Sequence, residues 1–303
     1  MALKPLAGTS LRDLEYVEAV AELKHFGKAA ARCNVSQPAL SEQVQKLEGR
    51  LGVTIFERGR RQVSLTQAGE RIVEQIGLVL SAARDLFALG AHGDVLSGAL
   101  RIGAIETLGP YYLPFLLQLL KAEKPELDPR LGEGRTAALA EGLRHGRFDA
   151  IITAGPDMPG MASQPLFFEP FLLAVPPGHG LARRGRIDLK QLPLGELLLL
   201  EEGHCLRDQA LALCGAAPRA MRHSTSLETL WHMVAAGEGI SLLPALALAA
   251  RPDLRARVSV RGLEEDAGRW LSLSWRISDP REARFRELAA LLSAHPPPGL
   301  TNS

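Results

Sequence analysis

One stretch limits the possible folds more than any other. Between Phe26 and Leu51 two short helix-forming runs are joined by a turn tight enough to force a compact helical corner. Lys28 to Cys33 is alanine-rich, Asn34-Val-Ser-Gln-Pro turns the chain, and Ala39 to Leu51 forms a longer helix. Ser36 is placed to cap that helix, and Pro38 suits a first turn because its missing N–H has no partner there anyway. An earlier helix starts at Leu11, with Ser10 as its cap and Leu14, Val17 and Ala21 on one stripe, and Gly27 breaks it. Two short helices around a tight turn are the shape of a helix-turn-helix, whose second helix enters the DNA major groove by its N-terminal residues.

The charge pattern agrees. Across 303 residues the net charge is only +1, so any basic site is local. Between Lys24 and Arg61 eight basic residues face three acidic ones, a local +5. Lys28, Arg32, Ser36, Gln37, Pro38, Ser41 and Gln45 are the candidates for meeting phosphates and base edges. The segment from Val53 to Leu65 reads as a hairpin with Arg58, Arg60 and Arg61 at its tip, a wing for phosphate or minor groove. The plainer alternative is a solvated charged surface on a small helical domain.

Thr66-Gln-Ala-Gly then opens a helix to about Gly90. Ile72, Ile76, Val79, Ala83 and Leu86 recur at helical steps, with Val73, Leu80 and Phe87 beside them, a double apolar stripe that wants a partner. A second copy of the chain is the simplest partner, and a homodimer presents two reading helices to a two-fold DNA site; packing on the chain's own next domain is the alternative.

Past a linker at residues 92–98 strands and helices alternate, the rhythm of a parallel-type sheet covered by helices. The expected organisation is a winged helix-turn-helix over 1–65, a linker and dimerisation helix over 66–98, and a two-lobed α/β regulatory domain over 99–303. Lobe I takes about 99–168 and 270–303, lobe II about 169–269, and a small ligand is expected in the cleft between them. No apolar run spans a bilayer and no secretory leader is evident, so no membrane partner is expected; with three cysteines in a long chain, a reducing cytoplasm is the expected compartment. No zinc spacing, phosphate loop, Ser-His-Asp order or dinucleotide fingerprint points to a metal, a cofactor or other chemistry.

Two of the three cysteines, Cys205 and Cys214, share one segment. Glu201, Glu202 and Gly203 end an apolar run and a helix-forming segment follows, so Cys205 is expected at a strand-to-helix turn, where unpaired backbone N–H groups and the positive end of the helix dipole favour a thiolate. In a continuous helix nine residues mean about 13 Å of rise and opposite faces, against the roughly 7 Å between Cα atoms that a disulfide tolerates. The two bond only if the helix is absent or unwinds. The other reading is that both are small buried hydrophobes, as Cys33 is beneath the reading helix.

Phe26-Gly-Lys-Ala-Ala-Ala-Arg-Cys-Asn-Val-Ser-Gln-Pro-Ala-Leu-Ser-Glu-Gln-Val-Gln-Lys-Leu-Glu, with Leu51-Gly-Val and Leu65-Thr-Gln-Ala-Gly after it, resembles the DNA-binding domain of LysR-type transcriptional regulators. Ala236-Gly-Glu-Gly-Ile-Ser-Leu-Leu-Pro resembles a segment of their periplasmic-binding-protein-like effector domain. Glu202-Gly-His-Cys-Leu-Arg-Asp-Gln-Ala, with Cys214 and then Thr225-Ser-Leu-Glu-Thr-Leu, is similar to the hydrogen-peroxide-sensing members of that family.

That resemblance implies a peroxidatic Cys205, oxidised to sulfenic acid, and a resolving Cys214 that closes a disulfide. It implies a peroxide site from Thr107, Thr136 and His204 with Arg207, Asp208 and Glu228 as polar neighbours, and Arg269 as a basic residue near it. It implies promoter DNA and RNA polymerase as partners, a homodimer or homotetramer, and re-reduction by glutathione with glutaredoxin or by thioredoxin. The sequence departs from the pattern at Glu106 and from Arg219 to His223. Two rival functions are a regulator answering to a metabolite in the cleft and a thiol peroxidase enzyme, to which a basic reading head is a poor fit.

Overall fold

The computed structural model describes residues 8–58, 63–89, 96–215, 222–298 and 300, the side chains of Arg58, Asp85, Ala88 and Leu89 excepted. Contacts divide the chain into two compact units, Met1–Ala91 with His145–Arg147, and His92–Arg144 with Phe148–Ser303.

The first unit contains α1 (Leu11–Leu23), α2 (Phe26–Arg32), α3 (Gln37–Leu51), β1 (Phe56–Arg58), β2 (Val63–Leu65) and α4 (Gln67–Leu89). Each early helix has a local start signal. Ser10 and Asp13 form a reciprocal capping box at α1. The α2 helix begins at Phe26, two residues before the expected start at Lys28, because His25 Nδ1 accepts from the Gly27 and Lys28 amides at 3.0 and 3.3 Å. Ser36 Oγ accepts from the Ala39 amide at 3.4 Å, so α3 starts at Gln37. Between α2 and α3 Asn34 takes φ +55, the left-handed conformation that a tight turn requires and asparagine tolerates. Val17, Val20, Ala29, Leu40, Val44 and Ile55 are fully buried in one core, with Ile76 and Leu80 of α4 joining it and Cys33 packed half-buried at its side. Glu48 fixes the hairpin to α3 by accepting from the Ile55 and Phe56 amides at 2.7 and 3.1 Å. The hairpin pairs Phe56 with Leu65. Gly69 has no substitute where α4 crosses it, since a Cβ there would stand 2.1 Å from the Ile55 carbonyl oxygen.

The second unit runs through β3 (Gly98–Ile105), α5 (Gly109–Glu123), β4 (Leu127–Gly134), α6 (Thr136–Arg144), β5 (Ala150–Thr153), β6 (Met161–Val175), β7 (Leu199–Leu200), α7 (Cys205–Cys214), β8 (His223–Ser224), α8 (Leu227–Ala235), β9 (Ser241–Pro244), α9 (Ala245–Ala250), α10 (Pro252–Arg255), β10 (Ser259–Arg261), β11 (Gly268–Arg276) and α11 (Glu282–Ala294). The main sheet has the order β10-β6-β11-β5-β3-β4, with β9 also on β6. It is mixed rather than parallel: β3 runs parallel to β4 and β5, whereas β6 pairs antiparallel with β9, β10 and β11. Strand β6 is shared, pairing over Met161–Pro170 with β11 and over its last residues with β9 and β10. Both ends of the sheet in this unit therefore hang on one long strand. Trp231, Trp275, Tyr112, Phe167, Phe171 and Phe285 are its largest buried side chains.

The sheet that carries β3 is pinned by charge as well as by burial. Asp149 accepts from the Arg101 amide and guanidinium and from Arg281 Nη2 at 3.0 Å. Burial pushes this carboxyl up, but the two guanidinium groups outweigh it and hold the carboxyl well below the usual range.

Candidate functional site

Strand β7 ends at Leu200, and four residues carry the chain into α7. Gly203 takes φ +93, a conformation glycine adopts without strain, and this reversal sets His204 as the N-cap and Cys205 as the first helical residue. The thiol therefore sits where helix amides have no intrahelical partner and the dipole is positive. His204 makes no side-chain cap bond, which leaves its ring for other work.

Cys205 faces a narrow crevice lined also by Glu106, Thr107, Arg135, Thr136 and His204. Parallel pairing brings this set together: β3 runs into Glu106 and Thr107, and β4, in register with it from Gly98↔Leu127 to Ile105↔Gly134, runs into Arg135 and Thr136. Thr136 Oγ1 and His204 Nε2 are buried and without a hydrogen-bond partner among the described residues. Burial first, and the Arg135 charge second, hold the His204 imidazole below its usual range against the pull of Glu106 and Glu201, so it is neutral at pH 7. Glu106 Oε2 stands 3.8 Å from His204 Nδ1 at the half-exposed mouth.

Arg269 holds Thr107. Its Nη1 donates to Thr107 Oγ1 at 2.8 Å and its Nη2 to the Thr107 carbonyl at 3.1 Å. With Oγ1 accepting from Arg269, the hydroxyl proton of Thr107 is left to donate elsewhere. Arg269 is itself fully buried and paired with the equally buried Glu169 at 2.7 Å, whose other oxygen accepts from the Leu246 amide at the start of α9.

Cys214 ends the same helix. All three cysteines are free, and α7 is continuous over its ten residues, so at 1.5 Å per residue Cys205 and Cys214 lie about 13 Å apart along the axis on opposite faces. Burial pushes the Cys214 thiol up. Polar ties keep the helix in place: Arg207 Nη1 donates to the Leu200 carbonyl at 3.0 Å and lies 3.0 Å from His223 Nδ1, and Gln209 Nε2 reaches the Ala154 carbonyl at 3.5 Å.

Residues 11–70 match the profile of the bacterial regulatory helix-turn-helix protein, lysR family, and residues 93–297 match the LysR substrate binding domain. The DNA-binding transcriptional dual regulator OxyR of Escherichia coli K12 is 41% identical over 290 residues, covering 94% of this chain and 95% of that one. The chain belongs to the LysR family, in its OxyR group. A full-length OxyR of Pseudomonas aeruginosa with a Cys-to-Asp substitution is 39% identical and superposes with a TM-score of 0.75 over 94% of each chain. An OxyR Cys-to-Ser mutant of Corynebacterium glutamicum, H2O2-bound, is 35% identical with a TM-score of 0.63, covering 94% of this chain and 92% of that one. LysR-family proteins are transcriptional regulators, not enzymes, and bind DNA through the helix-turn-helix.

In this LysR-family chain the expected peroxide-site residues fall into two groups. Thr107, Thr136, His204 and Cys205 line one crevice, with Arg269 behind Thr107. Arg207 points to β7 and β8, Asp208 is exposed, and Glu228 pairs with Arg251; none of the three lines the crevice. Of the expected DNA contacts, Lys28, Arg32, Gln37, Pro38 and Gln45 are exposed and Ser41 half-buried. Ser36 uses its oxygen to cap α3, and Arg32 is engaged by Glu22. Arg58 is the last residue of β1, and Arg60 and Arg61 lie outside the described residues. Sequence reasoning missed Arg135 and Gln209. A basic residue directly before Thr136 was the available signal for the first; nothing local marks the second. No helix among the described residues is long and apolar enough to cross a membrane.

Proposed function

We infer that the chain is a hydrogen-peroxide-responsive transcription regulator in which Cys205 is the reacting thiol and Cys214 resolves it. One observation carries this reading: the thiol shares its crevice with two buried polar atoms, Thr136 Oγ1 and His204 Nε2, that have no partner among the described residues, and with the Thr107 hydroxyl, whose proton is free. Buried polar groups are normally paired, so such a set suits a small oxygen species as its partner. The hydrogen peroxide-inducible genes activator of Haemophilus influenzae, 39% identical over 289 residues, points the same way.

The chemistry proceeds in two steps. The Cys205 sulfur attacks one peroxide oxygen, the O–O bond breaks, and the departing hydroxide takes a proton and leaves as water; Cys205 becomes a sulfenic acid. Thr107, Thr136 and neutral His204 hold the peroxide and donate to the leaving oxygen. The Cys214 sulfur then attacks the Cys205 sulfur, a second water leaves, and a disulfide forms. Because burial keeps Cys214 as the thiol at the far end of α7, it becomes competent only when the helix unwinds. That refolding is the signal to the reading heads, whose α3 helices meet promoter DNA. Val79, Leu86 and Phe87 on α4 stay exposed and supply an apolar surface on which two copies pair. Cys205→Ser should keep the thiol-state conformation under peroxide, and Cys214→Ala should accumulate sulfenate at Cys205 by mass spectrometry. A normal oxidative response by the first variant contradicts the assignment.

A further inference from the structure

The loop that delivers Cys205 is held by one side chain from a distant part of the sequence. Arg135 lies between β4 and α6, directly before Thr136. Its Nη1 donates to the Glu202 carbonyl at 3.1 Å, and its Nη2 reaches Glu201 Oε2 at 3.4 Å. The fit depends on the glycine that follows: a Cβ at Gly203 would stand 3.3 Å from Arg135 Cδ, and φ there is +93. Arg135 thus lies across residues 201–203, the whole connection between β7 and the N-cap of α7.

Its acceptors belong to the segment that must move. When α7 unwinds, the first turn that holds Cys205 and the loop ahead of it cannot travel far while a guanidinium bridges them to the β4–α6 junction. Arg207 and Gln209 tie the helix itself, whereas Arg135 ties the approach to the thiol. We propose that Arg135 is a positioning residue: it latches residues 201–203, and with them Cys205, over the crevice in the thiol state and releases when Cys205 and Cys214 join. The proposal rests on the redox reading above and goes beyond it by assigning the barrier of the second step.

The latch exists only in the thiol state, so its loss favours the disulfide. In that step the Cys214 S–H and the Cys205 S–OH bonds break, the S–S bond forms and one water leaves, with no further oxidant needed. Both contacts are at a half-exposed side chain, so solvent discounts them; Arg135→Gln should speed disulfide closure roughly fivefold. At 29.6 mV per decade for a two-electron couple, the same fivefold makes the reduction potential about 20 mV more negative. Loss of the latch lowers the melting temperature of the thiol form by a few degrees at most, whereas a general loss of structure would lower it further and slow sulfenic acid formation as well.

The test uses the full-length reduced chain, with closure followed by quenched mass spectrometry after a peroxide pulse and potentials set in glutathione buffers. Sulfenic acid formation is measured separately in the Cys214→Ala background, so the two steps are not confused. Glu201→Gln should act in the same direction and more weakly, about twofold, and the double variant should close no faster than Arg135→Gln alone because one contact cannot be lost twice. Unchanged closure and potential in Arg135→Gln, or additive effects in the double variant, overturn the latch and leave the redox reading standing. Failure of the unaltered chain to link Cys205 to Cys214 overturns both.

Discussion

Helices α3 and α7 are both amphipathic, and they are held in place by different means. In α3 Ser36 supplies a side-chain cap, Gly52 closes the other end in the left-handed conformation, and Leu40, Val44 and Leu47 are buried to 3% exposure or less. In α7 the N-cap makes no side-chain bond, and the buried face is Leu206, Arg207 and Ala210, one of them charged and one a single methyl. A helix of ten residues is marginal alone, so α7 depends on its polar ties. Burial makes α3 persist, because apolar contacts survive small displacements. In the proposed mechanism directional bonds make α7 conditional, because unwinding the helix loses those of Arg207 and Gln209 together. The proposed mechanism asks the reading helix to keep its shape in both redox states and α7 to lose it.

In the proposed mechanism the main sheet stays rigid while α7 unwinds, and the largest effect is expected in that sheet. Asp149→Asn leaves Arg101 and Arg281 without their shared carboxylate and should cost about 3–5 kcal/mol in denaturant unfolding. The Asp149 pKa is depressed in the folded state, so its contribution is fully present above the unfolded value of about 3.9 and is lost as pH falls through the folded value. An acid titration of stability should show that loss below about pH 4 in the unaltered chain and less of it in Asp149→Asn. Next in size, Leu47→Ala in α3 should cost about 2–5 kcal/mol, whereas Leu211→Ala on half-buried α7 should cost about 1 kcal/mol or less. Equal costs by thermal unfolding would break the contrast between the helices. Smallest and sharpest is a matched pair. Gly52 and Gly215 both close a helix at positive φ with open space around them, so alanine at either adds backbone strain of about 1 kcal/mol and no clash. Gly215→Ala should speed closure of the Cys205–Cys214 disulfide about fivefold, that strain expressed as a rate. Gly52→Ala should lower stability equally and leave closure unchanged.

The head was the more legible half because its signals are local. Pro38 and the Leu40, Val44 and Leu47 spacing lie within one helix, so α3 could be read from its own residues, and the His25 and Ser36 caps moved the starts of α2 and α3 two residues earlier, to Phe26 and Gln37. The effector domain was legible in its alternation but not in its strand directions. Strand β4, Leu-Asp-Pro-Arg-Leu-Gly-Glu-Gly, carries no β-branched residue and includes a proline and two glycines; it exists because an edge strand paired only to β3 tolerates them. The position of Cys205 at a helix start followed from Gly203 and the acidic pair before it. Its neighbours did not, since Thr107 and Arg269 are 162 residues apart and meet only through the fold. Resemblance supplied the threonines, whereas Arg135 was marked only by standing directly before Thr136, and its partners Glu201 and Glu202 meet it only through the fold.

The claim on which the rest depends is that peroxide joins Cys205 to Cys214 by dissolving α7. Hydrogen exchange over residues 206–214, measured on the full-length chain before and after a peroxide pulse and matched to the disulfide content of the same samples, tests it directly. Protected amides in the thiol form that lose protection in step with formation of the Cys205–Cys214 bond are the predicted result. A fully formed bond with α7 still protected, or lost protection with both thiols intact, would contradict it.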